Sequence, residues 1–134
     1  MIFGVMAFGS SGNDVYCEPA VLNVVSYQDD VIFLDQNYKF QINPLCDKYL
    51  CTVYTPGLFD FYAWADKFNI PSGKIAVGGY HPSVRPHDFD GYAKWIVRGL
   101  CDDIRATMDK GSGVVEGVFT GENVPNHFHY DPRR

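Results

Sequence analysis

Long apolar runs are missing from this chain of 134 residues. No stretch approaches the roughly 18 residues that a membrane-spanning helix requires, so no membrane partner is expected. Clustered basic residues are missing as well. The 11 Lys and Arg residues are scattered apart from Arg133-Arg134, and a formal net charge of −5 argues against nucleic acid as a partner. The opening Met1-Ile2-Phe3-Gly4-Val5-Met6 has no basic segment ahead of its apolar residues, so it reads as a first strand and not as a signal peptide. The expected compartment is the cytoplasm. Cysteine is sparse: Cys17, Cys46, Cys51 and Cys101 stand 29, 5 and 50 positions apart, which matches no zinc pattern of two close pairs. In a reducing cytosol they are expected as free thiols. Internal repeats and low-complexity tracts are also absent.

What is present is a folding composition. Apolar residues make up 46% and charged residues 20%, enough to bury one core, and the length suits one domain. Residues 2–8, Asp30 to Asp35 and Lys48 to Tyr54 read as strands, as do Lys74 to Val77 and Ala93 to Arg98. Their solid apolar runs suit a parallel sheet covered on both faces. Helical spacing occurs over 18–27, where Pro19 suits the first turn, and over 101–110, where Asp102 and Asp103 lie near the start. It is clearest over 56–69, where Thr55 has N-cap chemistry and Leu58, Phe61, Tyr62, Ala65 and Phe68 recur every three or four residues. Residues 38–48 show no period, Val84 to Phe89 reads as a loop or one helical turn, and Val114 to Phe119 reads as a last strand or edge element. The alternation predicts an α/β fold, a Rossmann-like or flavodoxin-like three-layer sandwich with a mostly parallel sheet of about five strands. The domain is expected to span 1–119, with 120–134 an extended tail or the start of a linker.

In such a sheet the carboxyl ends of the strands share one edge, and ligands bind there. The polar loops at 9–14, 35–37, 55–57, 78–85 and 98–101 are all placed at that edge. The most distinctive is Gly78-Gly79-Tyr80-His81-Pro82-Ser83, which directly follows a buried strand. Two glycines let a ligand press against the main chain, or simply make a tight turn.

With Tyr54-Thr55-Pro56 before it and Ala93-Lys94-Trp95-Ile96-Val97-Arg98-Gly99 after it, this string resembles the cobalamin-binding domain at the amino end of cobalamin-dependent radical SAM proteins. The resemblance covers most of residues 2–110 and is strongest over 49–99. It implies that Thr52, Tyr54, Thr55, Gly78, Gly79, Tyr80, His81 and Gly99 surround cobalamin and its nucleotide tail. Where relatives carry Ser-x-Leu ahead of Gly-Gly, this chain has Thr52-Val53-Tyr54, with 23 residues before Gly78. Asp-x-His-x-x-Gly, which places a histidine on cobalt in one cobalamin class, is missing after strand one, which implies binding without a protein histidine ligand. The family's Gly-Glu-Gly-Glu turn appears as Gly99-Leu100-Cys101-Asp102, and Cys-x3-Cys-x2-Cys occurs nowhere, so no iron–sulfur cluster is expected in this chain. The resemblance thus implies a cofactor-holding domain with no turnover of its own, served by a radical SAM domain in cis or in trans. A cofactor-free relative acting as an interaction or regulatory module stays open. So does a flavodoxin-like flavin- or nucleotide-binding domain using Gly9-Ser10-Ser11-Gly12, although neither dinucleotide nor phosphate-loop fingerprint is present there.

Other residues carry two readings each. His81 either faces the corrin or a tail phosphate, or is solvent-facing. His127-Phe128-His129 is either a metal pair or a solvated tail. Cys101 is either a reactive thiol at a helix start or a half-buried free cysteine. Asp35 is a ribose contact only if a nucleotide binds. The set Phe59, Phe61, Tyr62, Trp64 and Phe68 wraps too far round its helix for all of it to be core, and part is free to meet a partner domain.

Overall fold

The computed structural model describes residues 1–9, 30–36 and 39–121. The helix expected over 18–27, Ser10-Ser11-Gly12, Cys17 and His127-Phe128-His129 lie outside the described residues. Six parallel strands form one sheet: β1 (Ile2–Phe8), β2 (Asp30–Phe33), β3 (Lys48–Val53), β4 (Ile75–Gly78), β5 (Trp95–Arg98) and β6 (Gly113–Glu116). Their order is β2-β1-β3-β4-β5-β6, the flavodoxin-like doubly wound arrangement with one more strand at the far edge than the sequence predicts. That sixth strand was legible only as a last strand or edge element because three of its four residues are exposed, which leaves it without a buried apolar run. None of the described helices is long and apolar enough to cross a membrane.

Side chains alternate between two cores, as a pleated strand requires. On one face Met6, Phe8, Cys51, Val53, Val77 and Ile96 pack under helix α1 (Leu58–Lys67). Phe61 and Trp64 of α1 are fully buried there, each worth about 1.5–3 kcal/mol in transfer free energy. Their rings meet Phe8 at 5.7 and 5.5 Å, so the aromatic run found in the sequence is largely core. Phe59, on the far side of α1, is 79% exposed, as its place on the helical wheel predicts. On the other face Phe3, Val5, Leu50, Ala76 and Val97 pack with Ile104 of helix α3 (Ile104–Asp109). A third helix, α2 (Tyr80–Val84), sits at the carboxyl edge.

Three local expectations are corrected. Thr55 does not cap α1. Thr55–Gly57 forms a 3-10 turn and Gly57, which has no side chain to offer, is the N-cap, while the Thr55 hydroxyl pairs with His81. Residues 78–85 are not an open loop, since α2 starts directly after Gly79, and a 3-10 turn follows at Pro86–Phe89. The helix expected over 101–110 begins only at Ile104, with Asp103 as its cap accepting from the Ala106 amide at 3.0 Å. Asp102 lies outside the helix altogether.

The crevice between the carboxyl ends of β1 and β3 is closed by backbone. A Cβ on Gly57 would stand 2.1 Å from the Phe8 carbonyl carbon, and the Tyr54 amide donates to the Phe8 carbonyl at 2.9 Å. Backbone cannot yield as a side-chain tip can. Gly57→Ala is therefore expected to cost about 3 kcal/mol. Urea unfolding measures this, and an unchanged midpoint would contradict the close approach.

Candidate functional site

The carboxyl edge is organised by two side chains of the Gly-Gly-Tyr-His-Pro-Ser string. His81 is only 4% exposed. Its Nε2 lies 2.8 Å from Asp88 Oδ2 and its Nδ1 lies 3.0 Å from Thr55 Oγ1. An ionised carboxylate only accepts, so Nε2–H donates to Asp88, and Nδ1 of the neutral ring accepts the Thr55 hydroxyl proton. The ring also meets Phe89 edge-on at 5.8 Å, on the α1 side of the sheet. Ser83 makes the second tie: its hydroxyl donates to the Gly79 carbonyl at 2.7 Å and accepts from the Gly99 amide at 3.0 Å. The ends of β3, β4 and β5 are thereby joined through one short helix.

On the opposite face, beside these ties, lies a cavity of about 150 Å3. Its floor is the sheet itself, through Leu50, Thr52, Ala76, Gly78 and Val97. Its roof is Leu100, Cys101, Ile104 and Phe119, and Gly79 and Gly99 stand at its rim. Gly79 has φ +97°, and a Cβ there would meet Thr52 Cγ2 at 2.9 Å, so glycine is demanded twice at this point. Gly78 differs, since a Cβ would stand 3.8 Å from Val97 Cβ, an ordinary contact. Its absence leaves room in the cavity.

Of the residues singled out in the sequence, Thr52, Gly78, Gly79, Gly99 and Cys101 come together around this cavity, the first four being among those that the resemblance implies. Thr55 and His81 pair with each other and lie away from its walls. Tyr54 is half-buried with the second core, and Tyr80 is 64% exposed; neither lines the cavity. Asp35 is half-buried just past β2. The sequence reading missed Leu50 and Ala76, although stepping back two residues from Thr52 and Gly78 finds both. It missed Asp88 and Phe119 for want of any local signal.

Cys101 is half-buried, with Sγ 3.4 Å from Thr107 Oγ1, and burial pushes its thiol up from the usual range. Burial raises the Cys51 thiol further. Cys101 is thus a half-buried free cysteine. Among the described residues no group of three or more His, Cys, Asp or Glu side chains is placed to hold a metal ion. No protein-family model, curated protein or solved structure matches the chain.

The hydrogen bond from His81, then that from Arg85, holds the Asp88 carboxyl below its ordinary value of 3.8. A carboxyl lowered on folding adds stability that is complete above the ordinary value and is lost as pH falls through the folded one. The urea midpoint is therefore expected to drop more between about pH 6 and about pH 3 in the wild type than in Asp88→Asn, with the gap between the two closing at the acid end. Parallel curves would contradict the tie.

Proposed function

We propose that the chain is a cobalamin-binding domain that holds the corrin cofactor for a radical SAM methyltransferase-like partner, in cis or in trans. The observation that carries this is the cavity framed by Thr52, Gly78, Gly79 and Gly99. Four of the eight residues that the family resemblance implies converge on it, although they come from three separate strand ends. Its volume suits one small aromatic ring system and its walls are mostly apolar, as the flat base of a nucleotide tail needs.

The fit to cobalamin rests on a glycine cradle. The base would be held between the sheet floor and the Leu100–Ile104 roof, with the Thr52 hydroxyl as the polar group at its edge. Cobalamin, when bound, supplies a cobalt that carries an alkyl group. The chain's own residues hold, orient and shield. His81, with both ring nitrogens engaged, is not a cobalt ligand in this reading, in keeping with the missing Asp-x-His-x-x-Gly loop.

The flavin reading is weakened by the closed crevice at the end of β1, where flavin sits in flavodoxin-like sheets, since Gly57 backbone lies against Phe8 and Gly9 there. A cofactor-free interaction module is favoured by one observation, the exposed apolar residues Leu100 and Phe119 on the cavity roof, with Tyr80 and Val84 exposed on α2. Against it, the cavity is not filled by Tyr80 or His81.

Retention of hydroxocobalamin separates these readings. Purified protein mixed with the ligand and stripped of free corrin is expected to keep a stoichiometric visible band. Gly78→Val is expected to fold with near wild-type stability but to lose about tenfold or more in affinity, because its methyls enter the cavity. No retained corrin in the wild type would remove the proposal and leave the interaction module.

A further inference from the structure

Asp102 is 0% exposed, yet it lies outside any helix or strand. Its carboxylate accepts the Thr120 amide at 2.9 Å and the Gly121 amide at 2.8 Å, with the Thr120 hydroxyl at 3.4 Å from both oxygens. Its own amide donates to the Val118 carbonyl at 3.0 Å. Fully buried Thr107 takes the Val118 amide on its hydroxyl at 2.9 Å. The strap that leaves β6 is thus pinned on both sides of Phe119, and all of those contacts run to two wholly buried polar residues. Burying a carboxylate is costly unless it is hydrogen-bonded, and here every donor comes from the strap or its hydroxyl. The Phe119 side chain stays 51% exposed and lines the cavity roof.

We propose that Asp102 is a positioning residue that fixes Phe119 as an aromatic wall of the cavity, so that the site selects a flat heteroaromatic ring over a saturated one. The ring would lie between the Phe119 side chain and the sheet floor at Ala76 and Gly78. This rests on reading the cavity as a ligand seat and adds a determinant that the family motifs do not contain. Stacking of one ring on another is worth a few-fold to about tenfold in affinity, and it requires the wall to be held in place.

The probe is free 5,6-dimethylbenzimidazole, with cyclohexanol as the saturated counterpart, titrated into the isotope-labelled full chain by NMR. The heteroaromatic ring is expected to shift the amides of Gly78, Gly79 and Gly99, and cyclohexanol to bind more weakly. Phe119→Ala and Asp102→Asn should each weaken the heteroaromatic ring by about five-fold and bring it to the level of cyclohexanol. The double variant should lose no more than either single one, because the two act as a unit. If Asp102→Asn does not fold, Thr107→Val removes the acceptor on the other side of Phe119 and should give the same result. Losses that multiply, an unchanged affinity in Phe119→Ala, equal binding of the two rings, or no shifts at the cavity glycines would each overturn the proposal. Benzimidazole binding without cobalamin retention would sink the cofactor reading alone. Cobalamin retention without benzimidazole binding would sink the aromatic wall alone.

Discussion

The buried imidazole of His81 is the constraint on which the carboxyl edge depends. One ring joins the turn after β3, through Thr55, to the turn before β5, through Asp88, and it packs into the aromatic core through Phe89. Removing it would leave the Thr55 hydroxyl without this partner, Asp88 with Arg85 alone and a hole beside Phe89, a combination that a marginally stable domain tolerates badly. The tie also settles what lies on each side of the sheet. Because His81 is drawn to the α1 face, α2 turns away immediately after Gly79, and the cavity on the opposite face is left open. Gly79 makes that turn possible, since its φ of +97° suits glycine and its missing Cβ clears Thr52.

The strands were legible because burial on both faces writes a solid apolar run into the sequence. β1, β3, β4 and β5 were found within a few residues of their observed bounds, and the parallel order follows from their alternation with helices. The cavity glycines were legible for a related reason, as few other signals place Gly-Gly directly after a buried strand. The partners of His81 were not. Thr55 and Asp88 are 26 and 7 residues away in sequence, and nothing local distinguishes a histidine that closes a tertiary contact from one in solvent. The same limit hid Asp102, which read as a helix-dipole residue because two adjacent aspartates before a helical run suit that role. Only Asp103 fills it; Asp102 is spent on a strap 18 and 19 residues further on.

Thr55 meets the same limit. Thr-Pro before an amphipathic run is a sound N-terminus signal, and the helix is there. The cap, however, falls on Gly57, and Thr55 is the first residue of the 3-10 turn ahead of it. Its hydroxyl lies 3.0 Å from Nδ1 of His81, a tertiary link that local propensity cannot foresee, and α1 starts without a side-chain cap because its cap residue is glycine. Its stability then comes from the buried Phe61 and Trp64 and not from its terminus.

The described residues divide their polar chemistry in a way that bears on function. His81, Asp88, Asp102 and Thr107 all have hydrogen-bond partners within the fold, and among the described residues no buried side-chain nitrogen or oxygen is left without one. A site built for acid–base or nucleophilic work keeps a titratable group facing its substrate. Here the groups with that chemistry are consumed in ties, and the cavity they surround presents glycine backbone, aliphatic side chains, one phenyl ring and the Thr52 hydroxyl. The one thiol in its roof is pushed up by burial and shared with Thr107. Such walls suit contact with a flat apolar group. Among the described residues, what this cavity offers a ligand is contact: a flat sheet floor, a ring on its roof and one hydroxyl at its side.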